Sequence, residues 1–256
     1  MTIRRYILPA MGSVALGGLL LFDADNVRAE KVPLRIMPLG DSITQGHRDS
    51  YRRYLWLALK RAGIDADFVG SMNRGYGAEF PIEDFDRDHE GHWGWRADHV
   101  LAHIDAWAAR ARPDVVLMHL GTNDIGAGQD IDDTAQEIAR IIQRLRHHNS
   151  GIHVLLAAII PMDHERVTRR IERFNTALAV LAAAIDTPKS RVVLVDQFAG
   201  FDAEQDTYDG THPNEAGNNK IADKWLAALQ ALFPRETGHP ALKKSKISCC
   251  RLSSQC

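Results

Sequence analysis

Leu34-Arg35-Ile36-Met37-Pro38-Leu39-Gly40-Asp41-Ser42-Ile43 runs from an apolar segment into a glycine and two small polar residues. A short apolar run that ends on turn-forming residues reads as a buried strand, with its polar side chains delivered to the carboxyl end. Similar runs recur at 67–70, 114–120, 153–160 and 191–195. Between and after them, apolar residues follow helical spacing at 51–62, Val100/Ile104/Trp107/Ala108, Ala135/Ile138/Ile142/Leu145, 167–185 and Ile221/Trp225/Leu229/Leu232. Strand alternating with helix predicts a three-layer α/β/α sandwich around a five-stranded parallel sheet. Ligands of such sheets gather outside the carboxyl ends of the strands. Ser42 follows the first strand, Asn123 the third, and His212 lies in the connection after the fifth. The connections at 71–95 and 196–213 are long, and long ordered loops of compact domains are often functional.

The 256 residues, 45% hydrophobic and 25% charged, suit one globular domain, with no internal repeat. A net charge of −2 gives no basic footprint for nucleic acid and favours small or neutral partners. Nothing in the sequence sets an oligomeric state. Arg4 and Arg5 precede an apolar stretch at 11–22, followed by Val27-Arg28-Ala29, the layout of a cleavable export signal. The stretch falls short of the roughly 20 residues of a membrane span. Residues 1–29 therefore read as a signal peptide, cleaved near Ala29, which makes the mature chain secreted or periplasmic with no stable membrane insertion. The paired arginines leave a twin-arginine route open beside the general one. The enzyme-like domain is placed at 30–234. Residues 235–256, rich in Lys and Ser, read as a disordered tail. All three cysteines, Cys249, Cys250 and Cys256, lie there, and their odd count leaves an intermolecular disulfide as the alternative reading.

Gly40-Asp41-Ser42-Ile43, His92-Trp93-Gly94-Trp95, Gly121-Thr122-Asn123-Asp124 and Asp209-Gly210-Thr211-His212 together supply what acyl transfer requires. A serine hydroxyl needs a base, and His212 is the candidate. Asp209 lies three residues earlier, where one turn can aim its carboxylate at Nδ1; Asp202 and Asp206 are rival orienters. The charge that develops on an ester carbonyl oxygen needs donors already in place. These are the Ser42 N–H, the Gly94 N–H just before a helix starting near Arg96, and the Asn123 amide. The flanking Trp93 and Trp95 are candidate stacking platforms for a sugar ring.

The serine lacks the Gly-x-Ser-x-Gly elbow of the α/β-hydrolases. The four segments instead closely resemble the sequence blocks of the SGNH (GDSL-type) hydrolases, over about residues 34–232. The resemblance implies a flavodoxin-like sheet with strand order 2-1-3-4-5. It also implies Ser42 as nucleophile, Gly94 and Asn123 as oxyanion donors, and Asp209 with His212 completing the triad. Within that superfamily, Met37-Pro38-Leu39-Gly40-Asp41-Ser42-Ile43-Thr44-Gln45-Gly46, His89-Glu90-Gly91-His92-Trp93-Gly94-Trp95 and Asp209-Gly210-Thr211-His212-Pro213-Asn214 look like carbohydrate esterase family 3, which includes secreted acetylxylan esterases. Gly91 and Gly94 both fit the glycine block, and Gly94 is chosen for its place at the helix start. The implied activity is removal of a small acyl group, acetyl, from an acetylated carbohydrate; a lysophospholipase or thioesterase, and a silent carbohydrate-binding module, are the alternatives.

Other patterns point to weaker chemistry. His99 and His103 have ligand spacing but lack the glutamate of a zinc protease. Asp84, Asp86 and Asp88 alternate like a calcium loop, yet His89 stands where glycine is needed. The loop at 40–46 has neither a Walker lysine nor Gly-x-Gly-x-x-Gly spacing. No metal and no cofactor are expected.

Overall fold

In the computed structural model, β1 (Leu34–Gly40) is the strand to which three others pair, all in parallel. β2 (Ala66–Phe68) pairs along Leu34 to Ile36, and β3 (Glu90–Gly91) along Leu39 and Gly40. Pro38, which has no N–H to give a ladder, falls in the gap between those two pairings. β4 (Val115–His119), β5 (His153–Ala158) and β6 (Val192–Asp196) complete the order β2-β1-β4-β5-β6. With the two-residue β3 set aside, this is the expected 2-1-3-4-5 order of a flavodoxin-like sheet. The structure describes residues 32–47, 50–77 and 82–234. The signal-peptide, tail and cysteine readings lie outside the described residues.

The strands bury both faces, and their alternation builds two cores. Met37, Leu39, Val116, Met118, Val154 and Leu156 face one side, where α3 (Ala97–Ala111), α5 (Ile131–His148) and α6 (Glu165–Ile185) contribute Val100, Ile104, Ile138, Ile142, Phe174 and Leu178. Ile36, Val115, Leu117, Leu155 and Ala157 face the other, covered by Leu55 and Leu59 of α2 (Tyr51–Arg61) and Ile221, Trp225 and Leu229 of α8 (Glu215–Leu232). At roughly 25 cal/mol per Å² of buried apolar surface, these two layers are the main driving force of the fold. Three short helices absent from the sequence reading, α1 (Ser42–Gln45), α4 (Thr122–Gly126) and α7 (Ala203–Asp206), follow β1, β4 and β6. Two of them begin in the proposed catalytic segments. Among the described residues, no helix is long and apolar enough to cross a membrane.

Candidate active site

β1 ends at Gly40, and the chain turns directly into α1, whose first residue is Ser42. A Cβ on Gly40 would lie 2.1 Å from the His119 carbonyl oxygen, so only glycine allows β1 to reach the turn beside β4. Asp41 caps the short helix by accepting the Ile43 N–H at 2.9 Å. Its carboxyl is fully buried, and burial raises its pKa to about 7 against the helix-capping bond. Its Oδ2 makes no hydrogen bond among the described residues, although the Thr122 hydroxyl faces it closely enough to favour the charged form.

His212 Nε2 lies 2.9 Å from Ser42 Oγ, and Nδ1 lies 2.7 Å from Asp209 Oδ2. An ionised carboxylate only accepts, so Nδ1 carries the proton and Nε2 of the neutral ring is free to accept from the serine hydroxyl. Asp209 Oδ1 accepts the Thr211 and His212 N–H groups at 3.0 and 2.8 Å, which fixes the loop that joins the pair. Partial burial works to raise the Asp209 pKa, but the His212 N–H, the His212 ring and the Thr211 N–H outweigh it and hold the carboxyl below its usual range. The rival orienters are used elsewhere. Asp202 caps α7, and Asp206 accepts the Asp202 N–H and pairs with Lys220 at 2.6 Å.

The candidate donors come from the starts of α1 and α4 and from the loop before α3. Gly94, at φ 76°, sits in a turn closed by the Trp95 N–H donating to the His92 carbonyl at 3.1 Å. The N–H groups of Ser42 and Gly94 have no hydrogen-bond partner among the described residues. Gly91, the other candidate, donates its N–H to His89 Nδ1 at 3.0 Å and is locked into β3. Asn123 donates one amide hydrogen to the Trp95 carbonyl at 2.8 Å, which leaves the second uncommitted. Ser42, Gly94, Asn123 and His212 line one cavity of about 450 Å³.

Several residues that sequence reasoning missed hold this loop. Gln45 Oε1 accepts the Trp93 N–H at 2.8 Å. Buried Asp124 accepts the Ala97 N–H at 3.0 Å and so caps α3 from across the site. Buried Glu90 accepts from Ser71 and bonds His92 Nε2 at 2.7 Å, and the His92 ring stacks on Trp95 and Trp107. Gln45, Glu90, His92 and Asp124 all lie inside the quoted motif segments, but there the sequence pointed to their neighbours Ser42, Gly94 and Asn123.

Both tryptophans of the expected sugar platform have partners within the protein. Trp93 lines the cavity, but its ring stacks on His212 at 4.5 Å and on Tyr76 at 4.5 Å, with His47 tilted against it at 4.7 Å. Its faces are engaged within the protein. Trp95 lines neither cavity that opens on Ser42 and packs with His92, His103 and Trp107; its contribution is the carbonyl that holds Asn123. His99 and His103 flank the same indole, and among the described residues no group of three or more His, Cys, Asp and Glu is placed to hold a metal. Asp84 pairs with Arg53, and Asp86 accepts the Phe68 and Asp88 N–H groups.

The chain is similar to several known proteins. A carbohydrate esterase family 3 structure from Talaromyces cellulolyticus superposes with a TM-score of 0.71 at 34% identity, over 78% of this chain and 97% of that one. An acetyl esterase mutant with bound acetate ion gives 0.70 at 33%, over the same shares. A multidomain esterase of Ruminococcus flavefaciens is 26% identical over 86% of this chain, which spans only 31% of that protein's length. Residues 39–220, from the end of β1 into α8, match the model of the GDSL-like lipase/acylhydrolase family, and the chain belongs to that family.

Proposed function

We infer that this protein is a serine ester hydrolase that removes a small acyl group, acetyl, from a carbohydrate through an acyl-enzyme. The observation that carries the reading is the continuous series Asp209–His212–Ser42, with bonds of 2.7 and 2.9 Å, beside the unpartnered Ser42 and Gly94 N–H groups and the spare Asn123 hydrogen. In this mechanism Ser42 Oγ attacks the carbonyl carbon as its proton passes to His212 Nε2. The carbonyl oxygen gains the charge and meets the three donors. The C–O bond to the alcohol then breaks as the imidazolium gives its proton to the leaving oxygen. Water repeats the sequence on the acyl-enzyme, losing a proton to His212, and Ser42 recovers its own. Asp209 holds the ring in the required tautomer.

The names of the relatives, an acetyl esterase and a family 3 carbohydrate esterase, support acetyl and carbohydrate as the two halves of the substrate. The basic and apolar start of the chain supports export to where polysaccharides occur. The test is acetate release from acetylated xylan, alongside hydrolysis of acetyl, butyryl and octanoyl aryl esters. Release that Ser42→Ala abolishes is the expected result. Asn123→Ala should lower kcat on the order of 10² to 10³, about 3 to 4 kcal/mol. Preference for octanoyl with no release from xylan would transfer the chain to the lipid-directed reading, and wild-type kcat in Asn123→Ala would remove that residue from the site.

A further inference from the structure

Among the described residues, two cavities open on the Ser42–His212 hydrogen bond, and their linings share those two residues and no others. The first holds Gly94 and Asn123. The second, about 370 Å³, is lined by His47, Tyr54, Tyr208 and Glu215 and contains no oxyanion donor besides Ser42. The catalytic pair therefore divides the space around a bound ester. When Ser42 Oγ bonds to the carbonyl carbon, the developing oxyanion must point to Gly94 and Asn123, in the first cavity. The alcohol oxygen must lie against His212 Nε2 to receive its proton as the C–O bond breaks, and the second cavity offers the alcohol room on that ring.

The chemistry of the second cavity is selective. Tyr208 is 53% exposed, so its ring is open to a ligand, and it lies parallel to His212 at 5.7 Å. Glu215, in the first turn of α8, is exposed, and its carboxylate is in no hydrogen bond or ion pair among the described residues. Among the described residues, no lysine or arginine lines the cavity. Tyrosine rings beside a free acceptor suit the faces and hydroxyls of a sugar. A carboxylate with no cationic partner among the described residues repels a phosphate or carboxylate on the alcohol.

We propose that this second cavity is the alcohol subsite, that it takes a neutral polyhydroxylated leaving group, and that Glu215 sets its discrimination against anionic alcohols. The assignment rests on the serine-esterase reading above. The experiment compares kcat/KM for 4-acetoxybenzoate, whose leaving group is anionic, with that for 4-nitrophenyl acetate. Glu215→Gln raises the ratio of the first to the second about three- to tenfold at low salt, and Glu215→Lys raises it further. In the same variants the hexanoyl-to-acetyl ratio on 4-nitrophenyl esters moves by less than about twofold, because an alcohol in the second cavity leaves the acyl group outside it. An unmoved anion ratio overturns the role of Glu215. A shift in chain-length preference instead makes this cavity the acyl groove and overturns the subsite. Loss of both activities in the wild type, or their survival in Ser42→Ala, defeats the catalytic reading itself and this assignment with it.

Discussion

Trp93 reaches His212 across nearly half of the chain, and their rings lie 4.5 Å apart at 16°. Such a stacked pair contributes about 0.5 to 1.5 kcal/mol beyond its buried area and holds the imidazole in plane with Ser42 and Asp209. Trp93→Ala should therefore lower kcat on 4-nitrophenyl acetate about tenfold with KM nearly constant, and Trp93→Phe should restore most of it. Steady-state kinetics on this small ester decide the point. A Trp93→Ala enzyme impaired only on acetylated oligosaccharides would return the indole to the role of sugar platform. Ser42, Asn123 and His212 were legible as candidates because each follows a strand that its apolar run announces. The surroundings of Trp93 and Trp95 were not legible, because the partners of a ring, Tyr76, His212 and Trp107, lie on distant segments, and adjacency to Gly94 says nothing of where an indole points.

The turn from His92 to Trp95 and the turn from Gly40 to Ser42 each need a glycine, for different reasons. A Cβ on Gly94 meets nothing within 4 Å, but φ is 76°, where a side chain is strained by roughly 1 kcal/mol. Gly94→Ala should therefore fold with a small loss of melting temperature and a larger loss of kcat, because the turn that aims the N–H relaxes. Gly40→Ala drives its Cβ into the His119 backbone and should fail to give a folded protein. Thermal melts read beside kcat separate the two cases, and a Gly94→Ala enzyme with unaltered kcat would remove Gly94 from the oxyanion site. Long elements were legible because α5 or α6 repeats its apolar period several times. α1, α4 and α7 have four or five residues each, too few to show a period, and β3 has two. Besides the local Arg96–His99 bond, the start of α3 is held by Asp124, beyond the next strand, and no local pattern could announce that contact.

Across the whole molecule, the alternation of each strand foretold two cores, but not which polar groups they would enclose. Burial of Asp41 and His119 depends on the helices that close over the strand ends, and it moves their pKa values in opposite directions. Burial raises Asp41 from 3.8 to about 7 and lowers His119 from 6.5 to about 4. Between about pH 4 and 7 the folded chain keeps a proton on Asp41 that the unfolded chain releases, so this group's contribution is present at low pH and lost as pH rises. Between 6.5 and about 4 the unfolded chain protonates His119 while the folded chain does not, so that contribution is present at neutral pH and lost as pH falls. The shifts correspond to about 4 kcal/mol for Asp41 and about 3 kcal/mol for His119, and over their common window the two oppose one another. Single variants should expose what the wild type conceals. Relative to wild type, Asp41→Asn should lose stability more steeply from about pH 7 down to about pH 4.5, and His119→Phe should gain it over the same interval. Urea midpoints across that range give the slopes. Parallel slopes in all three proteins would mean that neither group titrates within the fold, whereas opposite departures would locate the pH response of the scaffold in two buried side chains at the ends of adjacent strands, β1 and β4.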